Sequence, residues 1–418
     1  MRVKKMLAAV AAAGVVATLA ACGGSSGGAG GDDELTVWML TLEGSQKTAM
    51  DTLVSDFEAA HEGVTVKVET RSTDAHKDAL RQVAGTDSGP DVYWYWEGPG
   101  LGGELVEAGL SKDLTAEYEK YGWGDRFGEA TLSNITRYGG YHGVPFTQQA
   151  EAIYYNKELF AKAGVTAEPT TYAELEAAAA KIKAAGITPI EFGGTVNWHV
   201  MRLLDSLLET NCGSETFDQL VTAKTSWDTD CVGRSFDQLK TWGGEYLNEG
   251  FQGVSNDESS QLFYTGEAAM AYEGTWFDSQ VVDNGMDPAN VGIFKFPTGT
   301  DRLYGFGEGF YINAATKKAD QAAEFLDFIT STEEQKKVVG VWSPISVNTA
   351  VTPATDNPLH ELWPPLYDAA KGFYLNNDQN LTLAQTTEYW RIMNSVLTGE
   401  TAPADAGAQM QKFIESES

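Results

Sequence analysis

The chain has 418 residues, of which 42% are hydrophobic and 11% aromatic, and its formal net charge at pH 7 is −30. A chain of this length is too long for one compact hydrophobic core, so two lobes are expected. The negative charge argues against a nucleic-acid partner, because the phosphates would be repelled. The acidic residues are spread along the chain, which is typical of a solvated surface rather than a cation-binding one.

The first 33 residues have the pattern of an export segment followed by a tether. Residues 1–21 join a basic N-terminus to an uncharged, Ala-rich stretch that is short for a membrane span, as in a secretory signal peptide. The sequence LAAC, ending at Cys22, resembles the lipobox of bacterial lipoproteins, which implies cleavage before Cys22 and lipidation of its thiol. Residues 22–33 would then form a flexible Gly/Ser tether. An ordinary signal peptide with an incidental cysteine is the alternative.

Two cysteines, Cys212 and Cys231, remain once Cys22 is set aside. Exported proteins reside in an oxidising compartment, so this pair predicts a disulfide. We expect no metal site, because two sulfurs at this spacing lack partners and the five histidines have no ligand-like spacing.

The N-terminal part of the mature chain alternates between strand and helix patterns. In chain order it predicts strand 35–40, helix 45–61, strand 64–70, helix 76–89 and strand 91–96. Such alternation predicts a mainly parallel sheet with helices on its faces. Ligands bind beyond the carboxyl ends of such strands, so Glu43, which follows the first strand, and Trp94, Trp96 and Glu97 should reach one crevice.

Later segments continue the α/β pattern. Thr171 and Glu174 form a capping box at the start of a helix that Gly186 ends, and Thr332 and Gln335 should cap a short helix. The remaining elements are strands at 292–297 and 305–315 and a helix at 317–331.

The motifs of common enzymes are missing. Beyond the Gly/Ser tether at 22–33, the sequence contains no P-loop, HExxH, GxSxG or CxxC, so we expect neither an enzyme nor a cofactor. GFGEG at 305–309 has the wrong glycine spacing for a dinucleotide loop. NNDQN at 376–380 lacks the central glycine and terminal glutamate of a calcium loop, which favours a surface Asx turn. Paired acids of a glycosidase cannot be identified from sequence, so a secreted glycosidase stays open.

Four segments together resemble one protein family. They are GPDVYWYW at 89–96, YGGYHGVPFTQQAEAIYYNKELFAKAGV at 138–165, PTTYAEL at 169–175 and FYTGEAAMAYEGTWF at 263–277. Their motifs and order resemble those of the bacterial extracellular solute-binding proteins that serve carbohydrate ABC importers, the group that includes maltose-binding protein. The resemblance spans nearly the whole mature chain. It implies a two-lobe α/β fold of the periplasmic-binding-protein type II, with a ligand cleft between lobes.

The resemblance also implies how the chain divides between the lobes and where it crosses the hinge. Lobe one would comprise 34–144 plus 297–342, and lobe two 145–296 plus 343–418. The crossings would lie near Val144–Pro145, Phe296–Pro297 and Ser343–Pro344. Each falls at a proline, which suits a segment that joins neither a helix nor a central strand.

The function implied is capture of an extracellular sugar or oligosaccharide and its delivery to the permease subunits of an ABC importer. We expect a monomer that is lipid-anchored on the extracellular face of the cell membrane. The alternatives are a binding protein for a polyol phosphate or a peptide, a secreted glycosidase, and a surface adhesin.

A sugar site needs flat rings for the apolar pyranose face and acids or amides for the hydroxyls. Trp276 falls on the stacking tryptophan of the family, and Gln149 falls where a maltose-binding member has a sugar-contacting acid. In the 93–96 strand either Tyr93 and Tyr95 or Trp94 and Trp96 can face the cleft, and we favour the tryptophans. The remaining candidates are Glu97, Trp198, Glu43, Asp278, Glu308, Trp342 and Tyr389. For each, packing in the core is the competing interpretation.

Overall fold

The computed structural model describes residues 34–417, apart from the side chains of residues 129, 130, 134 and 137. The expected signal peptide, the lipidated Cys22 and the Gly/Ser tether lie outside the described residues. Within the described part of the chain, no helix combines the length and the apolar character that crossing a membrane requires.

The strands of residues 34–417 join one mixed sheet. They are β1 Glu34–Leu40, β2 Thr65–Arg71, β3 Val92–Trp96, β4 Val144–Asn156, β5 Thr188–Glu191, β6 Ala268–Gly274, β7 Val291–Phe294, β8 Leu303–Ile312 and β9 Phe373–Leu375. Their order is β2-β1-β3-β8-β4-β6-β5, with β7 paired to β4 and β9 paired to β8.

The sheet is mixed, whereas a mainly parallel one was expected. Strand β1 pairs in parallel with β2 and β3, as the alternating pattern predicts. Strands β8 and β4, however, pair antiparallel with each other. Strand β8 also pairs antiparallel with β3, and β4 pairs antiparallel with β6. Parallel pairing also joins β5 to β6 and β8 to β9, so the sheet is mixed because β8, from about 200 residues later in the chain than β3, and β4 enter it antiparallel.

Helices cover both faces of the sheet. They are α1 Gly44–Ala60, α2 Thr73–Val83, α3 Gly102–Glu107, α4 Thr115–Tyr121, α5 Trp123–Arg126, α6 Glu129–Ile135, α7 Lys157–Lys162, α8 Tyr172–Ala184, α9 Asn197–Val221, α10 Asp230–Glu245, α11 Asn256–Tyr264, α12 Phe277–Asp283, α13 Ala319–Ile329, α14 Thr332–Val338, α15 Trp363–Ala369, α16 Asn377–Asn380, α17 Leu383–Thr398 and α18 Pro403–Glu417. The capping box of Thr171 and Glu174 is confirmed at the start of α8. The cap of α14 was predicted one residue too late, because Ser331 accepts the hydrogen bond from the Glu334 N–H.

Two large hydrophobic clusters form the cores of two lobes. The first-lobe cluster combines side chains from 35–146 with others from 310–347. The second-lobe cluster combines side chains from 153–296 with Tyr304 and others from 374–414. Each core therefore draws on segments that are far apart in sequence, and the chain passes between the lobes more than once.

Strands β4 and β8 carry the chain across. In β4, Phe146 packs in the first-lobe cluster and Ile153 in the second, while β8 runs from Tyr304 in the second to Phe310 in the first. Phe296 packs in the second-lobe cluster, as expected for lobe two, and Tyr304, beyond the expected crossing at Phe296–Pro297, packs there as well.

Near the last expected crossing, Val347 packs in the first-lobe cluster, a few residues beyond Ser343–Pro344. Pro145, at the first expected crossing, lies inside β4 beside a bulge in its pairing with β8.

The predicted disulfide is confirmed. Cys212 in α9 is bonded to Cys231 in α10, with their Cα atoms 5.2 Å apart. Gly213, with a φ of 76°, interrupts the helical backbone of α9 next to the bridge. The disulfide therefore fastens the two helices where α9 bends.

Candidate functional site

A cleft of about 450 Å³ lies between the two lobes. Its lining includes the tryptophans Trp94, Trp96, Trp198, Trp276 and Trp342. Trp94 and Trp342 belong to the first-lobe cluster, whereas Trp198 packs against the second. The volume lies in the range of about 300–1,000 Å³ that is usual for small-molecule sites.

Strand β3 supplies one wall through alternate side chains. Trp94 and Trp96 point to the cleft face, while Tyr93 and Tyr95 pack in a separate cluster on the opposite face of the sheet. This arrangement follows from the two-residue period of a strand. The same period puts Glu97 on the tyrosine side.

Glu97 consequently lies behind the sheet rather than in the cleft. It is 1% exposed, and its backbone N–H donates to the Gly307 carbonyl at 2.9 Å. A Cβ on Gly307 would lie 1.9 Å from Oε2 of Glu97, so the glycine leaves the space that this carboxyl group occupies. The sequence prediction placed Glu97 beside Trp96 because the two are adjacent in the chain, and strand alternation separates them.

A hydrogen-bonded row of side chains forms the floor of the cleft. Glu308 of β8 lies between Trp96 of β3 and Thr147 of β4 in the strand register. Its Oε2 accepts from the hydroxyl of Thr147 and, at 2.9 Å, from Nε2 of Gln149, whose Oε1 accepts from the hydroxyl of Thr275. Burial raises the pKa of Glu308 to about 7. The row holds an amide and a carboxyl group in fixed positions next to the hinge strands.

Trp276 lies where β6 passes into α12. Its ring centroid is 5.6 Å from that of Phe306. A Cβ on Gly274 would lie only 1.9 Å from Cζ3 of this indole, so the ring folds back over a position that only glycine leaves open. The spacing Gly-x-Trp therefore has a steric cause.

Arg202 lies between two indoles. Its Cζ is 4.8 Å from the ring centroid of Trp198 and 5.1 Å from that of Trp276, a cation–π geometry. Its Nε lies 2.6 Å from Glu151 and its Nη1 2.6 Å from Glu273. The side chain thus orients both rings while two carboxyl groups balance its charge.

A cluster of buried titratable groups backs this arginine. Glu191, His199 and Glu273 are close enough together to hold a metal ion. However, Nδ1 of His199 accepts the Gly193 N–H at 3.0 Å, so the neutral ring carries its proton on Nε2, 3.3 Å from Glu273. Burial and Arg202 lower the pKa of His199 well below its usual range. Burial and Glu273 raise the pKa of Glu191 to about 8, so the cluster is better suited to sharing protons than to binding a metal.

An ion pair joins the lobes at one end of the cleft. Nζ of Lys77 in α2 lies 3.5 Å from Oδ2 of Asp378 in α16 and 4.7 Å from the ring centroid of Trp96. Both charged side chains are 8% exposed. This pair therefore holds two elements from distant parts of the chain across the cleft.

The NNDQN segment is buried, which corrects the surface Asx turn expected from the sequence. Residues Asn376, Asn377, Asp378 and Gln379 are only 6, 0, 6 and 2% exposed. The segment follows β9 directly, and Nδ2 of Asn377 donates to Asp205 at 2.8 Å. The sequence predicts solvated amide side chains, whereas tertiary packing turns them inward.

Apart from Nε of Arg202, which is ion-paired with Glu151, three polar atoms of cleft-lining residues lack a hydrogen-bond partner among residues 34–417. They are the acceptors Oδ1 of Asn376 and Oε1 of Gln379 and the donor Nε1 of Trp198. A buried polar atom without a partner costs about 1–3 kcal/mol. A ligand that carries several hydroxyl groups could satisfy both acceptors and the donor.

Seven of the eleven sequence candidates line the cleft, namely Trp94, Trp96, Gln149, Trp198, Trp276, Glu308 and Trp342. Glu97 and three others do not. Glu43 is exposed at the N-cap of α1. Asp278 is fully buried and accepts hydrogen bonds from the Tyr154 hydroxyl and from Nε1 of Trp363. Tyr389 is also buried, and its hydroxyl donates to Asp205 at 2.8 Å.

The sequence analysis missed Arg202, Lys77, Asn376 and Gln379. The sequence does contain a signal for Arg202, because it follows Trp198 by four residues in a helix and therefore lies on the same helix face. Asn376 and Gln379 could also have been found, since they follow the end of a strand, where ligands bind in α/β folds. No local pattern indicates a role for Lys77, because its partner Asp378 is about 300 residues away in the sequence.

Three comparisons with known proteins agree. The family model described as "Bacterial extracellular solute-binding protein" matches residues 43–336. An uncharacterised ABC transporter extracellular-binding protein of Pyrococcus horikoshii is 22% identical over 91% of this chain and 82% of its own length. The multiple sugar-binding protein of Streptococcus mutans is 28% identical over 53% of this chain and 54% of its own. A solved chitin oligosaccharide binding protein is 26% identical with a TM-score of 0.83, covering 92% of this chain and 98% of that one.

Proposed function

Because this chain belongs to the family of bacterial extracellular solute-binding proteins, we propose that it binds a neutral saccharide between its lobes and delivers it to the permease of an ABC importer. The two-lobe α/β fold expected for this family is confirmed by the similarity to a solved member with a TM-score of 0.83. Most of the similar proteins whose names give a ligand bind a sugar or an oligosaccharide, which supports the same ligand class here, although one relative is an sn-glycerol-3-phosphate-binding protein.

The observation that carries the proposal is the combination of indoles and hydrogen-bonding groups in one cleft. Five tryptophans that line the cleft offer flat apolar surfaces, and Gln149, Asn376 and Gln379 offer amide groups in the same lining. A pyranose has an apolar C–H face and a rim of hydroxyl groups, so it matches both. Closure of the lobes would exclude water and strengthen the hydroxyl hydrogen bonds.

The charges support a neutral ligand over a polyol phosphate or a peptide. Lys77 and Arg202 are the cations in the lining among the residues that the structure describes. Lys77 is paired with Asp378, and Arg202 with Glu151 and Glu273. A phosphate or a peptide carboxylate would therefore have to compete with existing ion pairs for a cation.

The finer expectations from the sequence belong to the same proposal. Cys22 carries the lipid that holds the protein on the extracellular face of the cell membrane, and the Gly/Ser tether gives the lobes reach. The protein acts as a monomer and performs no catalysis. The permease recognises the form in which the lobes have closed on the ligand.

A thermal-shift panel tests the proposal. Neutral mono- and oligosaccharides are compared with sn-glycerol 3-phosphate and short peptides, because a ligand that binds the native state raises its melting temperature. We expect a shift with a saccharide only. A shift with the phosphate or a peptide alone would contradict a neutral ligand. Shorter products after incubation with oligosaccharides would indicate a glycosidase instead.

A further inference from the structure

A second cavity of about 250 Å³ adjoins the indole-lined cleft. Four residues line both spaces, namely Asp74, Lys77, Trp198 and Asp378. The ion pair between Lys77 and Asp378 and the indole of Trp198 therefore stand at the border between the cleft and this second cavity. A chain-like ligand bound in the cleft can therefore extend into the second cavity.

The second cavity repeats the chemistry of the cleft. Its lining contains a further indole, Trp390 of α17, whose Nε1 donates to Sδ of Met201 at 3.1 Å and so holds the ring in place. Leu383 also lines it and is 37% exposed, whereas most large apolar side chains among the described residues are buried. Asn197 and Arg81 supply amide and guanidinium groups at its edge.

This exposed apolar surface is consistent with an occupant. A half-buried indole beside an exposed leucine leaves apolar area in contact with water, which burial under a ligand would remove. Trp198 presents its indole to both cavities, and its Nε1 is buried without a partner among residues 34–417. One ligand spanning the border could satisfy this donor and cover both rings.

We infer that the ligand is an oligosaccharide that extends from the cleft into the second cavity. One sugar unit lies against Trp276 in the cleft, and a later unit lies against Trp390 beyond the border. Lys77 and Asp378 hydrogen-bond hydroxyl groups near the linkage between them, as charged groups form the stronger hydrogen bonds. The inference rests on the proposed function, because it assumes that the cleft holds a saccharide.

Isothermal titration with defined saccharide ladders tests the extension. The probes are the malto-, xylo- and N-acetylchito-oligosaccharides from monomer to pentamer. For the ladder that binds the wild-type protein, affinity should rise with length beyond the shortest member that binds. Trp390→Ala should weaken the longer members by about 10-fold and leave the shortest unchanged, since roughly 60 Å² of covered ring is lost.

Two further variants keep the result interpretable. Leu383→Ala removes an exposed side chain, so the protein should fold normally and lose affinity for the longer members only, by less than Trp390→Ala. Trp38→Ala is the matched control, because this half-buried indole lies outside both linings and its loss should not alter length dependence.

The outcomes separate the inference from the function on which it rests. Saccharide binding that is independent of length, or that both cavity variants leave unchanged, would overturn the extension and leave the proposed function standing. If no saccharide of the thermal-shift panel and no member of any ladder binds, the proposed function is overturned and the extension with it.

Discussion

Gly274 controls the position of the indole that we place against the sugar. A methyl group added there would lie 1.9 Å from Cζ3 and 2.4 Å from Cη2 of Trp276, which is closer than such atoms can approach. Gly274→Ala should therefore force the ring away from its present place over the end of β6. The main chain needs no change, because Gly274 has an ordinary strand conformation rather than a positive φ.

The size of the effect follows from the surface that the ring can offer. Trp276 is half-buried, so a sugar can cover only part of the roughly 150–250 Å² that an aromatic side chain buries in full. Coverage of about 60–100 Å² at about 25 cal/mol per Å² gives about 1.5–2.5 kcal/mol. Gly274→Ala and Trp276→Ala should each weaken saccharide binding by about 10- to 70-fold, as measured by isothermal titration.

Stability measurements separate this effect from general damage. Unfolding by urea should show that Trp276→Ala costs less than the 3–5 kcal/mol typical of a core tryptophan. The control is Gly244→Ala, because no atom lies within 4 Å of its added Cβ and alanine favours the helix α10. Its affinity should equal that of the wild type. Wild-type affinity in Gly274→Ala would refute the argument that this glycine positions the ring.

Four further predictions concern stability and location. Arg202→Met should lower the free energy of unfolding in urea by about 3–5 kcal/mol, because two buried carboxyl groups lose their cation; a loss below about 1 kcal/mol would contradict the ion-pair assignment. Burial raises the pKa of Asp278 and of Glu191 to about 8, so the folded state binds their protons more tightly than the unfolded state. Their stabilising contribution should be complete below about pH 4, the pKa of such groups in the unfolded chain, and should fall as the pH rises until it is lost at about pH 8. Asp278→Asn should flatten that fall in urea titrations at a series of pH values. Reduction of the Cys212–Cys231 disulfide should cost about 3 kcal/mol for a loop of 19 residues, so an unchanged melting temperature in reductant would count against a stabilising role. Cys22→Ser should release the protein from the membrane fraction, and retention at the wild-type level would disprove the lipid anchor.

Local rules predicted the parts of the cleft that one strand or turn determines. Strand alternation separates Trp94 and Trp96 from Tyr93 and Tyr95, and it requires only the two-residue period. The prediction for Glu97 failed because proximity in the chain was given more weight than that same period. A stricter use of alternation would have placed its side chain behind the sheet.

Contacts between distant segments could not be predicted from the sequence. Arg202 is fixed by acids from β4 and β6, and Lys77 meets Asp378 from nearly the other end of the chain. Neither pairing has a local signature, because each depends on how the sheet orders its strands. The hinge crossings also stay a prediction, since β4 and β8 form a paired ladder and their sequences resemble ordinary strands.

A crystal structure of the protein with the tightest-binding saccharide of the panel tests the central claim most directly. The account predicts a sugar ring stacked on Trp276, with hydroxyl groups within hydrogen-bond distance of Oδ1 of Asn376 and Oε1 of Gln379. A saccharide bound outside the cleft, or one in the cleft that leaves these atoms without partners and touches no indole, would contradict it.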